Sequence, residues 1–232
     1  MMIGGIPIIW VIIGLTFLLS WIVSSSLKRK IEAYSKIPVN YGLTGKDIAE
    51  KMLADNDIRD VKVICTKGFL SDHYNPAQHT VNLSEGVYYG NNVAAAAVAA
   101  HECGHAVQHA EAYVWLGMRT ALVPVVSFSS NIMQWILLAG ILLMNTFPQL
   151  LLIGIILFGT TTLFSFITLP VEINASSRAL VWLSKRDITT SANHPQAVSA
   201  LRTAAYTYVV AALSSLATLL YYIAIYAGGN KR

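Results

Sequence analysis

Charge is scarce in this chain. Only 12% of its 232 residues are Asp, Glu, Lys or Arg, against about 25% in a typical soluble domain. An ordinary soluble globule is therefore excluded. Cysteine is scarcer still. Cys65 and Cys103 are the only two, too few for a disulfide framework, and reduced thiols fit a cytoplasmic domain. The long apolar runs contain no Asp or Glu, whereas a metal transporter needs ionisable groups inside its spans. No basic helix or aromatic-interleaved patch points to nucleic acid. The net charge of +4 is accounted for by a basic cluster behind the first apolar run. Internal repeats and low-complexity linkers are missing too.

What the chain has is hydrophobic length. Residues of apolar type make up 55%. Four runs approach the 20 residues or so that cross a bilayer, at 3–23, 121–145, 149–169 and 206–226. Asn131 and Gln134 in the second run suggest that one of its faces meets other helices. Segments 24–120 and 170–205 remain for one modest aqueous domain. The first run carries no positive residue ahead of it, so it reads as an anchor rather than a cleaved signal. Lys28, Arg29, Lys30 and Lys36 follow it, and positive residues stay on the cytoplasmic side. The N-terminus is then outside, and both aqueous segments are inside. Lys231 and Arg232 would fall outside, against the same rule, but a two-residue tail weighs little.

One pentapeptide carries chemistry: His101-Glu102-Cys103-Gly104-His105. It reads H-E-x-x-H, the zinc-protease signature. On a helix, positions i and i+4 share a face, so both imidazoles can reach one metal ion. Glu102 lies about 100° round the helix, placed to act as a general base. The alanine-rich stretch 93–100 leads into the motif, and alanine is the best helix former. Asn91 or Asn92 can cap its start. Cys103 points off the ligand face and reads as a small buried filler.

A catalytic zinc takes three protein ligands and keeps one position open. His109, again at i+4, sits about 6 Å further along the helix axis and converges poorly. Glu172 is the better candidate. It follows directly on the third apolar run, and runs two and three form a hairpin that returns the chain to the face it left. A carboxylate there could instead cap its own helix or pair with Arg178.

These residues resemble a family. The stretch from His101 to His109, with Val171-Glu172-Ile173-Asn174-Ala175-Ser176-Ser177-Arg178-Ala179 and Gly68-Phe69-Leu70-Ser71-Asp72-His73-Tyr74-Asn75-Pro76, is similar to the YugP-like neutral zinc metallopeptidases, bacterial membrane proteins. More distantly the layout resembles the HtpX-like membrane metallopeptidases. The resemblance implies Zn2+ as cofactor, His101, His105 and Glu172 as ligands, and Glu102 as base. It implies hydrolysis of peptide bonds by zinc-activated water, a peptide or membrane-protein substrate, and a multi-pass protein of the bacterial cytoplasmic membrane. In the broader group an Asp often supports a ligand histidine where this chain has Ser176, and the nearer family has Asp in place of Asn174.

The expected fold class is mainly α: a polytopic helical membrane protein of about four transmembrane helices with a small zincin-like α+β catalytic domain. The expected organisation is an anchor at 1–27, a catalytic part at 28–120, a membrane hairpin at 121–169, a second catalytic part at 170–205 and a last span at 206–232. Residues 61–66 and 79–83 read as strands, and 72–76 as a turn. Thr80, Val81, Asn82 and Leu83 are the expected substrate edge, where extended peptide would pair by its backbone. His73 and His79 could form a second metal site. His194, Arg178 and Tyr206 are candidate donors to the developing oxyanion. Two rival readings remain: an intramembrane site-2-type protease, and a zinc-stabilised scaffold without catalysis.

Overall fold

The computed structural model describes residues 2–3 and 6–229. Lys231 and Arg232, like positions 4 and 5 of the first apolar run, lie outside the described residues. Two short strands, β1 (Met2–Ile3) and β2 (Ile6–Pro7), pair antiparallel ahead of helix α1 (Ile8–Tyr34). Then come α2 (Gly45–Asp55), β3 (Lys62–Thr66), β4 (His73–Asn75), β5 (Thr80–Ser84), α3 (Glu85–Tyr88) and α4 (Val93–Ala110). Three long helices complete the chain: α5 (Val114–Leu142), α6 (Pro148–Lys185) and α7 (His194–Gly229). Helices α1, α5, α6 and α7 are long and apolar enough to cross a membrane. The protein is a mainly α membrane protein with a small α+β domain. Its long helices overrun the apolar stretches. Helix α6 continues through Pro170 to Lys185, and α7 begins at His194.

The chain divides into two compact units. The first comprises Met1–Ile22, Met118–Leu169 and Thr207–Arg232. Within it α5 and α6 meet at a glycine. A Cβ on Gly140 would lie 2.6 Å from the Leu151 Cα. Close approach through a small residue is how helices associate when lipid removes the hydrophobic drive. Thr162 and Ser215 join α6 to α7 by a 2.7 Å hydroxyl pair. The inward face of α5 carries Ser129, Leu137 and Gly140. Asn131 and Gln134 lie on its exposed side. Their expected helix-facing role is thus corrected: apolar shape and a glycine make the contact.

The second unit comprises Val23–Gly117 and Pro170–Tyr206. Its three-stranded sheet has the order β3-β5-β4. Strand β5 is buried along its whole length, parallel to β3 and antiparallel to β4. Thr80, Val81, Asn82 and Leu83 are therefore not a free edge. All four pair with β3, and the first three also face β4. The segment expected to be a turn supplies the missing strand. His73–Asn75 is extended, and the turn follows it, closed by the Asn75 side chain accepting from the amides of Ala77 and Gln78.

Helix α2 opens with a capping box between Thr44 and Asp47. It packs Ile48, Ala49, Met52 and Leu53 against the alanine face of α4. Alanines at 94–97, 99 and 100 are almost fully buried. They leave no bulk between neighbouring elements, so α4 sits at the centre of this unit. Asn92 caps it, its side chain accepting from the Ala95 amide at 2.9 Å. Cys103 is buried with its thiol toward the Ala49 carbonyl at 3.6 Å. Burial, aided by the charge of Glu102, pushes that thiol's pKa far up.

On the other side of α4, Gly104 meets α6. A Cβ there would lie 2.7 Å from the Ala175 carbonyl oxygen, so the two backbones touch. A Gly104→Ala substitution must push them apart. Overpacking of this kind costs about 1–3 kcal/mol, and we expect a lower thermal midpoint in detergent. Gly86→Ala, where the added methyl meets nothing within 4 Å, is the control. Equal midpoints for both variants would show that α6 yields freely.

Candidate metal centre

The metal centre is assembled from two helices of the second unit. Asn92 sets the start of α4 and with it the phase at which His101 and His105 emerge one turn apart. Their rings lie 4.8 Å apart, nearly perpendicular. The Gly104 contact brings α6 close enough for Glu172 to reach both. Its Oε2 is 3.3 Å from His101 Nε2 and 3.5 Å from His105 Nε2. Glu172 is 2% exposed and His105 8%.

These spacings fit a metal better than a hydrogen-bonded trio. Charge-assisted hydrogen bonds run at about 2.7–2.9 Å. A tetrahedral zinc with bonds near 2.0–2.2 Å sets its ligand atoms about 3.4 Å apart. The donor set, two imidazoles and one carboxylate, is a catalytic zinc set. Among the described residues this is the only group of three or more His, Cys, Asp or Glu placed to hold an ion. Burial opposes a proton on His105, but the Glu172 carboxylate and the charge of Glu102 hold its pKa above the ordinary imidazole value. A metal must displace that proton, which couples binding to pH.

Each of the two histidines has a partner on its other nitrogen. His101 Nδ1 is 3.1 Å from Ser176 Oγ, and His105 Nδ1 is 3.0 Å from Gln108 Oε1. Ser176 thus supports His101 at the position where the broader group often has an Asp. Gln108 has no role assigned by its sequence motif, although its i+3 spacing from His105 puts the two on one face. Glu102 is 8% exposed. One of its oxygens accepts the Tyr74 backbone amide at 3.1 Å. That contact comes from β4, the strand hidden in an apparent turn.

The remaining sequence candidates lie elsewhere. His109 does not join the three: its Nδ1 bonds to the Tyr74 hydroxyl at 2.8 Å, and its ring packs on His79. His79 pairs with Asp60, and His73 with the Ser71 carbonyl, so these two are not brought to a common centre. Arg178 pairs with Glu111 at 2.6 Å and not with Glu172. His194 bonds to Thr189, and Tyr206 is half exposed.

The sequence model of the family described as "Putative neutral zinc metallopeptidase" matches residues 9–227. The chain is 41% identical over 212 residues to "Putative membrane protease YugP" of Bacillus subtilis (strain 168), covering 91% of this chain and 93% of that one. No solved structure matches the chain. A match over nearly the whole length, with a zinc donor set at its centre, places the chain in the neutral zinc metallopeptidase family.

Proposed function

We propose that this protein is a gluzincin-like zinc endopeptidase working at the cytoplasmic face of a bacterial cytoplasmic membrane. In this reading His101, His105 and Glu172 hold the metal, and Glu102 is the base. The observation that carries it is the three-atom donor cluster at tetrahedral spacing. A structural zinc is normally closed by four protein ligands. Three ligands with a carboxylate beside them speak for catalysis over a scaffold. The motif helix α4 is not among the four helices apolar and long enough to span, which speaks against an intramembrane site.

Zinc bound there would act as a Lewis acid, making water a better nucleophile and polarising a carbonyl. The protein's own groups do the rest. Glu102 takes a proton from the attacking water and delivers it to the leaving amine. The Tyr74 amide orients its carboxylate and leaves the second oxygen for the proton. Strand β4 is an edge of the sheet; its outward Tyr74 amide is given to Glu102, so the Tyr74 carbonyl is what the strand would offer to the backbone of an extended peptide. A peptide or a membrane-protein segment would suit it. The basic residues Lys28, Arg29, Lys30 and Lys36 support the cytoplasmic placement.

Two outcomes check this. Glu102→Gln should keep zinc near wild-type stoichiometry by elemental analysis while kcat/KM on a fluorogenic peptide library falls about 10²–10⁴-fold. Zinc bound with an unchanged rate would remove Glu102 as base. For orientation the chain carries its own probe, since Cys65 is exposed and Cys103 buried. A membrane-impermeant maleimide should label Cys65 only after cells are permeabilised. Labelling of intact cells would place the site on the opposite face.

A further inference from the structure

We propose that the buried amide of Gln108 is a positioning group for the metal, setting the tautomer of His105 while tying down the helical turn that carries Glu172. The inference rests on the zinc-peptidase reading above. Gln108 is 0% exposed, and a polar side chain in such a place is costly unless fully hydrogen-bonded. It is hydrogen-bonded at both ends. Nε2 donates to the Val171 carbonyl at 2.8 Å and to Asn174 Oδ1 at 2.9 Å. A backbone carbonyl only accepts, so the nitrogen must face α6. The oxygen must then face His105.

That orientation has a consequence for the ring. Gln108 Oε1 lies 3.0 Å from His105 Nδ1 and can only accept. Nδ1 of the neutral imidazole therefore carries the hydrogen, and the lone pair is left on Nε2. Nε2 is the atom 3.5 Å from Glu172 Oε2, at the metal position. The same amide grips Val171, the residue before Glu172, and so couples ring and carboxylate through one rigid group. Beyond it the chain of bonds continues. Asn174 Oδ1 accepts from Arg178 Nε at 2.7 Å, and Arg178 pairs with Glu111. The amide of Gln108 occupies the place where a carboxylate commonly supports a zinc histidine, without adding a third buried carboxylate to Glu102 and Glu172.

The test uses the full-length protein in detergent. Gln108→Met keeps the side-chain length and deletes both amide atoms. Zinc affinity by chelator competition should weaken about 10–100-fold, beyond any change in the thermal midpoint of the metal-free protein. Wild-type affinity in a folded Gln108→Met would overturn the proposal. ¹⁵N NMR of the metal-free wild type with its imidazoles neutral reads the tautomer directly, a variant serving only for assignment. His105, assigned by its loss in His105→Asn, should show the Nδ1–H form, and the Nε2–H form would overturn the proposal. His101→Ala separates the two levels. If it abolishes zinc binding while Gln108→Met does not weaken it, only the Gln108 role fails. If His101→Ala binds zinc like wild type, the metal-centre reading fails and the Gln108 role with it.

Discussion

Everything at the metal centre depends on two helix backbones touching. Gly104 lies between the two histidines of α4, and a side chain there would run into the Ala175 carbonyl. With hydrogen in that place, α6 comes near enough for Glu172 to reach both imidazoles, for Ser176 to reach His101, and for Gln108 to reach Val171. One turn of a helix either way would break all three contacts together. The glycine is thus part of the chemistry although it bears no functional group. The buried alanines of α4 serve the same end on the faces toward α2 and the sheet. Small residues on every side let one helix be packed from all directions while two polar side chains still point into a common space.

Legibility in the sequence followed the range of each interaction. The spans, the motif helix and an asparagine cap at 91 or 92 are local patterns of hydropathy, spacing and capping, and they could be read; the structure selects Asn92. Strand β3 could be read as well, from its β-branched alternation. Glu172 required a topological step, the hairpin that returns the chain, and the resemblance to known peptidases named the same residue. What escaped was non-local. Strand β4 looks like a turn because it ends on Asn75 between Asp72 and Pro76, yet Asp72 accepts from the Ser84 amide and hydroxyl and anchors the segment beside β5. Pairing on both flanks of β5 cannot be inferred from its own five residues, and Thr80–Ser84 became the centre of the sheet. Asn131 and Gln134 misled for a related reason. A polar residue in an apolar run suggests a helix contact, but Gly140 and Leu151 make that contact by shape.

The polar groups around His101, His105 and Glu172 belong to a connected set. Starting from the donor cluster, His101 leads to Ser176, and His105 leads through Gln108 and Asn174 to Arg178 and Glu111. Leaving one member of such a set unsatisfied costs about 1–3 kcal/mol, more for a charge, so its members hold each other in register. Fully satisfied networks of this kind favour a single arrangement over near alternatives.

That set also joins distant parts of the chain. Gln108 and Val171 are 63 residues apart in sequence, and the segment between them contains α5 and the first part of α6. Closing so long a loop is entropically expensive, though the cost grows only logarithmically with length. Hydrogen bonds worth about 1 kcal/mol each net offset part of it. A metal ion bound by His101, His105 and Glu172 would cross-link the same two segments, and binding energy of that kind counts toward folding. The ion that supplies Lewis acidity would then also fasten the second half of the aqueous domain to the first. Gln108 lies at the seam, beside the ligand on one side and the crossing backbone on the other. The chain therefore places its strictest hydrogen-bonding requirement where assembly of the domain and assembly of the site are the same event.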